Sequence, residues 1–143
     1  MRGATIAELA LGLAITGILV AVGVPRVVAL ADHLAVERQT GVLLGAYQRA
    51  RLTALTRNRL IRLTVTADRI AIYTLEGSDS TLAWQVPGPA TDDVGLVSAP
   101  APAVFAPSGI TMGVANGRYV LTKGDVTRTL VASRLGRLRV ARP

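Results

Sequence analysis

The sequence predicts an α+β chain in which a long, kinked N-terminal helix, transmembrane in its first half, packs on a small antiparallel β-sheet domain. Three patterns predict it. Residues 4–24 form an apolar run interrupted by one charge. An apolar spacing of three and four residues then continues to about residue 57. From Asn58 onward the period drops to two, the signature of strands. A length of 143 residues favours one folded unit. With the apolar run set aside, the globular part falls to roughly 80–110 residues.

The first element is the apolar run, ATIAELALGLAITGILVAVGV, in which Glu8 is the only charge. At about 1.5 Å per residue a helix of this length spans roughly 30 Å, the hydrocarbon thickness of a bilayer. Arg2 and Arg26 flank it and orient it only weakly. A secretory signal would end in a small-residue cleavage site, and none is convincing before Pro25. A plain signal anchor accounts for the length but not for Glu8. A carboxylate inside a membrane is costly and marks function, unless it lies at the interface and is solvated. Pro25 removes a backbone donor and crowds the preceding turn, which kinks or loosens the helix. Gly12, Gly17 and Gly23 weaken it further and permit close helix–helix approach.

Beyond Pro25, the residues Val36, Leu43, Tyr47, Ala50 and Ala54 form one apolar face, with Arg38, Arg49 and Arg57 on more exposed faces. Residues 4–57 therefore read as a single helix whose second half packs on a sheet. Ile61, Leu63 and Val65 alternate with Arg62 and Thr64 as a strand, Ala67-Asp68 turns the chain, and Ile70–Leu75 returns. Thr81–Val86 is a candidate third strand. Residues 87–107, PGPATDDVGLVSAPAPAVFAP, read as a loop rich in Pro, Gly, Ala and Asp. Further β segments are expected at 110–114, 118–122, 127–132 and 138–140. Asn116-Gly117 and Lys123-Gly124-Asp125 are the hairpin turn signals between them. Trp84 and Phe105 are expected core anchors.

Composition excludes several classes of function. There is no cysteine, so neither disulfides nor thiolate metal sites can form. His33 is the only histidine and stands beside Asp32 on the helix, a poor basis for a triad or a metal cluster. Neither a P-loop nor G-x-G-x-x-G occurs. Asp92-Asp93 is read as a solvated loop pair rather than a calcium site. No enzyme, cofactor or metal is therefore expected. The formal charge is +7, and Lys123 is the only lysine. From Arg118 to Pro143 seven basic residues, Arg118, Lys123, Arg128, Arg134, Arg137, Arg139 and Arg142, face one acid, Asp125, a local excess of +6. Arginine forks suit phosphate, so this end carries the electrostatic footprint of nucleic-acid binding. With aromatics at 3%, base stacking is poorly supported and only non-specific phosphate contact is expected.

The start, MRG followed by ATIAELALGLAITGILVAVGVP, resembles the class III signal of type IV pilins and pseudopilins. The resemblance implies cleavage after Gly3 by a prepilin peptidase and N-methylation of Ala4. Glu8 then stands four residues after the new N-terminus, where the family carries its glutamate. Pro25 falls where the family carries a helix-distorting proline, and Gly17 where pilin helices often have glycine. Ala4 in place of phenylalanine, Ala7 within the usual Thr-Leu-Ile-Glu run and the three-residue leader depart from the pattern. The C-terminal half, VFAPSGITMG and then RTLVASRLGRLRV, is similar to the GspH/FimT group, with Gly136-Arg137-Leu138-Arg139 as its closing Gly-Arg-x-Arg.

This resemblance implies a pilin-like organisation: a leader at 1–3, a helix at 4–57 and a β-rich periplasmic domain at 58–143. It implies a single-pass inner-membrane protein incorporated into a pilus or pseudopilus. Its partners would be other pilins, the peptidase and an inner-membrane assembly platform. Glu8 would pair with the N-terminal amine of a neighbouring subunit, and Glu8 and Pro25 would serve assembly. The expected role is that of a minor pseudopilin of a type II secretion system or type IV pilus. The alternative is a DNA-binding minor pilin for DNA uptake, using Gly136, Arg137 and Arg139 with Arg134 and Arg142.

Overall fold

A computed structural model describes residues 5–113 and 116–141. Helix α1 (Ile6–Arg57) runs through Pro25 without interruption for 52 residues. Its start is set by a capping box: Thr5 accepts from the Glu8 amide, and the Glu8 carboxylate accepts from the Thr5 amide. It stops at Asn58, whose φ of 51° is left-handed and ends the helical hydrogen bonding. At about 1.5 Å per residue the helix is roughly 78 Å long, far more than one small head can cover. Its first half accordingly stands free, and the apolar window that could cross a membrane is 0% buried.

The second half is the spine of the head. Val36, Leu43, Tyr47, Ala50 and Ala54 are buried as their spacing predicts, and Gln39, Thr40 and Ala46 complete the inward face. Among the described residues nine strands follow: β1 (Leu60–Val65), β2 (Arg69–Glu76), β3 (Asp79–Pro87), β4 (Gly95–Ser98), β5 (Ala103–Phe105), β6 (Thr111–Met112), β7 (Gly117–Lys123), β8 (Val126–Ala132) and β9 (Leu138–Val140). They form two antiparallel sheets rather than the single small one expected, one in the order β3-β2-β1-β5-β6 and the other β4-β7-β8-β9. Helix α1 packs against both. Ile61, Leu63, Ile70, Ile72 and Phe105 of the first sheet and Tyr119, Leu121 and Leu130 of the second close on it. Tyr47 meets Phe105 edge-on, with ring centroids 5.0 Å apart.

Some expected features shift. Residues 87–107 are not one loop. They hold a short 3-10 helix (Pro89–Asp92), then β4 and β5, which join different sheets. Each strand is too short, and too rich in Pro, Gly and Ala around it, to show alternation. Asn116-Gly117 is not a hairpin turn. Gly117 opens β7, which pairs with β4 and β8, while β6 pairs with β5 in the other sheet. Gly117 is needed there because a side chain would collide with the Pro100 ring. The expected strand at 110–114 shrinks to β6, with Val114 outside the described residues. Phe105 is fully buried, but Trp84 is only half-buried and lies under the Arg49 guanidinium at 5.0 Å. The turns at Ala67-Asp68 and Gly124-Asp125 form as expected.

Candidate functional site: the free helix and an arginine groove

The exposed stretch of α1 is longer than the predicted span. Large apolar residues face solvent from Ile6 through Val27 and Val28 to Leu30 and Leu34, beyond Pro25. Only around Val36 does the head cover the helix. Such a continuous unpartnered apolar surface cannot remain in water and marks burial in lipid or against other helices. Near its start the Glu8 carboxylate takes the Thr5 amide at 2.8 Å, so the charge is held by its own helix N-terminus. Pro25 lies within the exposed stretch. Without an N–H it leaves the Ala21 carbonyl without its intrahelical donor. Gly3 and Ala4, the expected processing pair, lie outside the described residues, as does Arg142.

At the other end of α1 the Gly-Arg-x-Arg segment forms a site with the helix. The β8–β9 turn is held by Ser133 N–H donating to the Arg137 carbonyl at 2.9 Å and Gly136 N–H to the Ser133 carbonyl at 3.0 Å. Thr111 fastens that turn to the first sheet, donating its hydroxyl to the Arg134 carbonyl at 2.9 Å. Gly136 has a φ of 68° and is buried. A methyl group there would lie 2.5 Å from the Gly109 carbonyl oxygen, so glycine is required by both conformation and space. Its role in the turn is to let it close.

Between this turn and α1 runs an open groove of about 390 Å³, lined by Leu44, Tyr47, Gln48 and Arg51 of the helix and by Gly136, Arg137, Leu138 and Arg139. Arg51 was not singled out from sequence. Its only signal was its place one turn after Tyr47 and Gln48 on the flank of the apolar face. Its stem passes close to both turn glycines: a methyl on Gly109 would lie 3.2 Å from its Nε, and one on Gly136 3.6 Å from its Cδ. The Nε is enclosed and donates to no acceptor among the described residues. No acidic side chain of the described residues pairs with Arg51, Arg137 or Arg139. Arg134 is exposed on the same turn but does not line the groove.

The remaining basic residues are less free than their clustering suggested. Arg128 donates to Glu37 on α1 at 2.6 Å. Lys123 donates to the Asp92 carbonyl at 2.6 Å and stands 3.9 Å from the Asp93 carboxylate. Asp92 itself accepts from Gln39 at 2.7 Å and from Arg38 at 3.2 Å. Asp92 is therefore not a solvated loop residue: it joins α1 and the 3-10 helix to β7, while the Asp93 carboxylate stays exposed as expected. His33 is exposed, and among the described residues no cluster of metal-ligating side chains forms.

A free apolar helix, continuous with the spine of a two-sheet head, defines a pilin-like architecture. The solved structures agree. The type IV minor pilin FimU of Pseudomonas aeruginosa matches in one crystal form with a TM-score of 0.63 at 16% identity, covering 79% of this chain and 92% of that one. In a second crystal form the TM-score is 0.55 at 19% identity, covering 77% and 92%. At such identities the likeness concerns the fold. The sequence matches the family described as Type II transport protein GspH over residues 39–136, and the chain belongs to that family. Comparison with curated protein sequences gives no match. The family is one of structural pilin-type proteins, and the apolar helix fits a membrane-anchored pilus component that assembles with other pilins.

Proposed function

We propose that this chain is a minor pseudopilin, processed after Gly3, methylated at Ala4 and assembled into a type II secretion pseudopilus or type IV pilus. The observation that carries this reading is the apolar half of α1, 0% buried within the subunit and continuous with a folded head. In the bilayer the helix stores the subunit, with the head in the periplasm. In a filament the same surface packs against neighbouring helices, so transfer trades lipid for protein contact at little hydrophobic cost. The prepilin peptidase and an inner-membrane platform would act before and during that transfer. The Glu8 carboxylate, held by Thr5 in the lone subunit, would exchange that bond for a neighbour's N-terminal amine. Pro25 would let the helix adjust as it leaves the membrane.

The test is intact mass and N-terminal analysis of the protein from its native host. A chain beginning at methylated Ala4 supports the reading, and a chain retaining Met1 returns it to an ordinary signal anchor. A second reading is DNA uptake, favoured by the unpaired Arg137 and Arg139 beside Gly136. With Arg128 and Lys123 engaged within the head, the basic residues left for phosphate are Arg137, Arg139, Arg118, Arg134 and Arg142.

A further inference from the structure

We propose that the groove between α1 and β9 is a docking site for an acidic side chain, flanked by apolar residues, of another pilin-type subunit. The proposal rests on the assembly reading above and names the contact the head makes. Arg51, Arg137 and Arg139 converge on one recess, and among the described residues no acidic side chain pairs with them. Arg51 reaches the recess through its terminal nitrogens, its Nε being enclosed without an acceptor among the described residues. A carboxylate suits that recess: it accepts two parallel hydrogen bonds from the terminal nitrogens of one guanidinium and leaves the other arginines to neutralise the remaining charge.

The lining favours a protein over a phosphate backbone. Leu44 and Leu138, both half-buried, give the groove apolar walls, which a protein side chain covers and a phosphodiester does not. The arginines are gathered into one recess rather than spread along a track. Tyr47 is 1% exposed, which leaves no aromatic face for a base. Because Arg51 lies on α1, the site is rigidly tied to the helix that packs in the filament. A partner engaged there is held at a set angle to it.

The test uses the full-length chain in its native host, with a photo-crosslinking residue at Gln48, which is exposed at the groove. A second crosslinker at Leu13, on the free helix, reports assembly independently. The expected result is a crosslink from position 48 to an identified pilin-type subunit, within a peptide containing Asp or Glu. Its yield should fall about tenfold or more in an Arg137→Glu, Arg139→Glu variant, as for a lost interfacial charge pair, and survive in the Arg→Lys pair. An unchanged melting temperature shows that the head still folds. Crosslinks at Leu13 without any at Gln48, crosslinks from Gln48 to nucleic acid, or indifference to charge reversal would each overturn the docking site while leaving assembly intact. Loss at both positions would overturn the assembly reading, and the docking site with it.

Discussion

Gly136 shows how a motif residue acquires its meaning from its neighbours. A side chain there is opposed by a φ of 68° and by the Gly109 carbonyl 2.5 Å from any added methyl. Gly136→Ala should therefore cost about 2 kcal/mol or more and disorder the arginine turn, measurable as a lower denaturation midpoint in detergent. Tyr47 carries a pH dependence. Burial pushes its hydroxyl from 10.0 up to about 12, and Tyr119 is raised in the same direction by burial and by its proximity to Tyr47. Between these pH values the unfolded chain releases the proton while the folded one keeps it. Stability fully present below about pH 10 should then fall by at most about 3 kcal/mol through Tyr47 as pH rises to 12, with Tyr119 acting in the same direction. A denaturant series across pH 9–12 checks this, and Tyr47→Phe should flatten the decline over the first two pH units. Asp92→Ala should cost about 1–3 kcal/mol, because it leaves the Gln39 amide, 5% exposed at the residue level, without its acceptor.

At the scale of elements, α1 divides its work at about Val36, where the head begins to cover it. The amino-terminal half has little to pack against within the subunit, so its residues answer to lipid and neighbours. Glu8→Ala should leave membrane insertion intact and lower incorporation into filaments, scored by fractionating membranes and sheared filaments. Unchanged incorporation would remove the carboxylate from assembly. The short strands β4 and β5 belong to different sheets, and the 3-10 helix that precedes them is fastened to α1 through Arg38, Gln39 and Asp92. That fastening explains how a Pro- and Ala-rich stretch becomes ordered: side-chain bonds to the spine and edge pairing replace the intrinsic propensity it lacks.

For the whole molecule, the two sheets clasp one helix, and the polar bridges Glu37–Arg128 and Asp92–Arg38 tie helix to head at separate points. Exposed pairs of this kind contribute little each. The buried face from Val36 to Ala54 dominates, and Leu43→Ala should cost about 2–5 kcal/mol as a cavity mutation. Arg137→Ala with Arg139→Ala should leave the melting temperature unchanged, since both side chains are exposed and unpaired. If the head binds DNA, the same pair should weaken that binding and flatten its salt dependence, each lost phosphate contact reducing the slope by about one.

The apolar run, the helical face from Val36 to Ala54 and the alternation at Ile61–Val65 are local patterns, and each was legible in the order of residues alone. So was membership of a pilin-like family, because Gly3, Glu8, Gly17 and Pro25 stand at fixed spacings in the sequence. The division into two sheets was not legible. Which strand pairs with which depends on long-range partners, and Asn116-Gly117, a good turn locally, begins a strand that pairs elsewhere. Nor could sequence separate engaged from free charge: Lys123 and Arg128 find acids or carbonyls only when β7 and β8 come back to α1 and its flanking turn. Arg51 joins Arg137 and Arg139 for the same reason. They are far apart along the chain, and only closure of the β8–β9 turn over the helix brings them together.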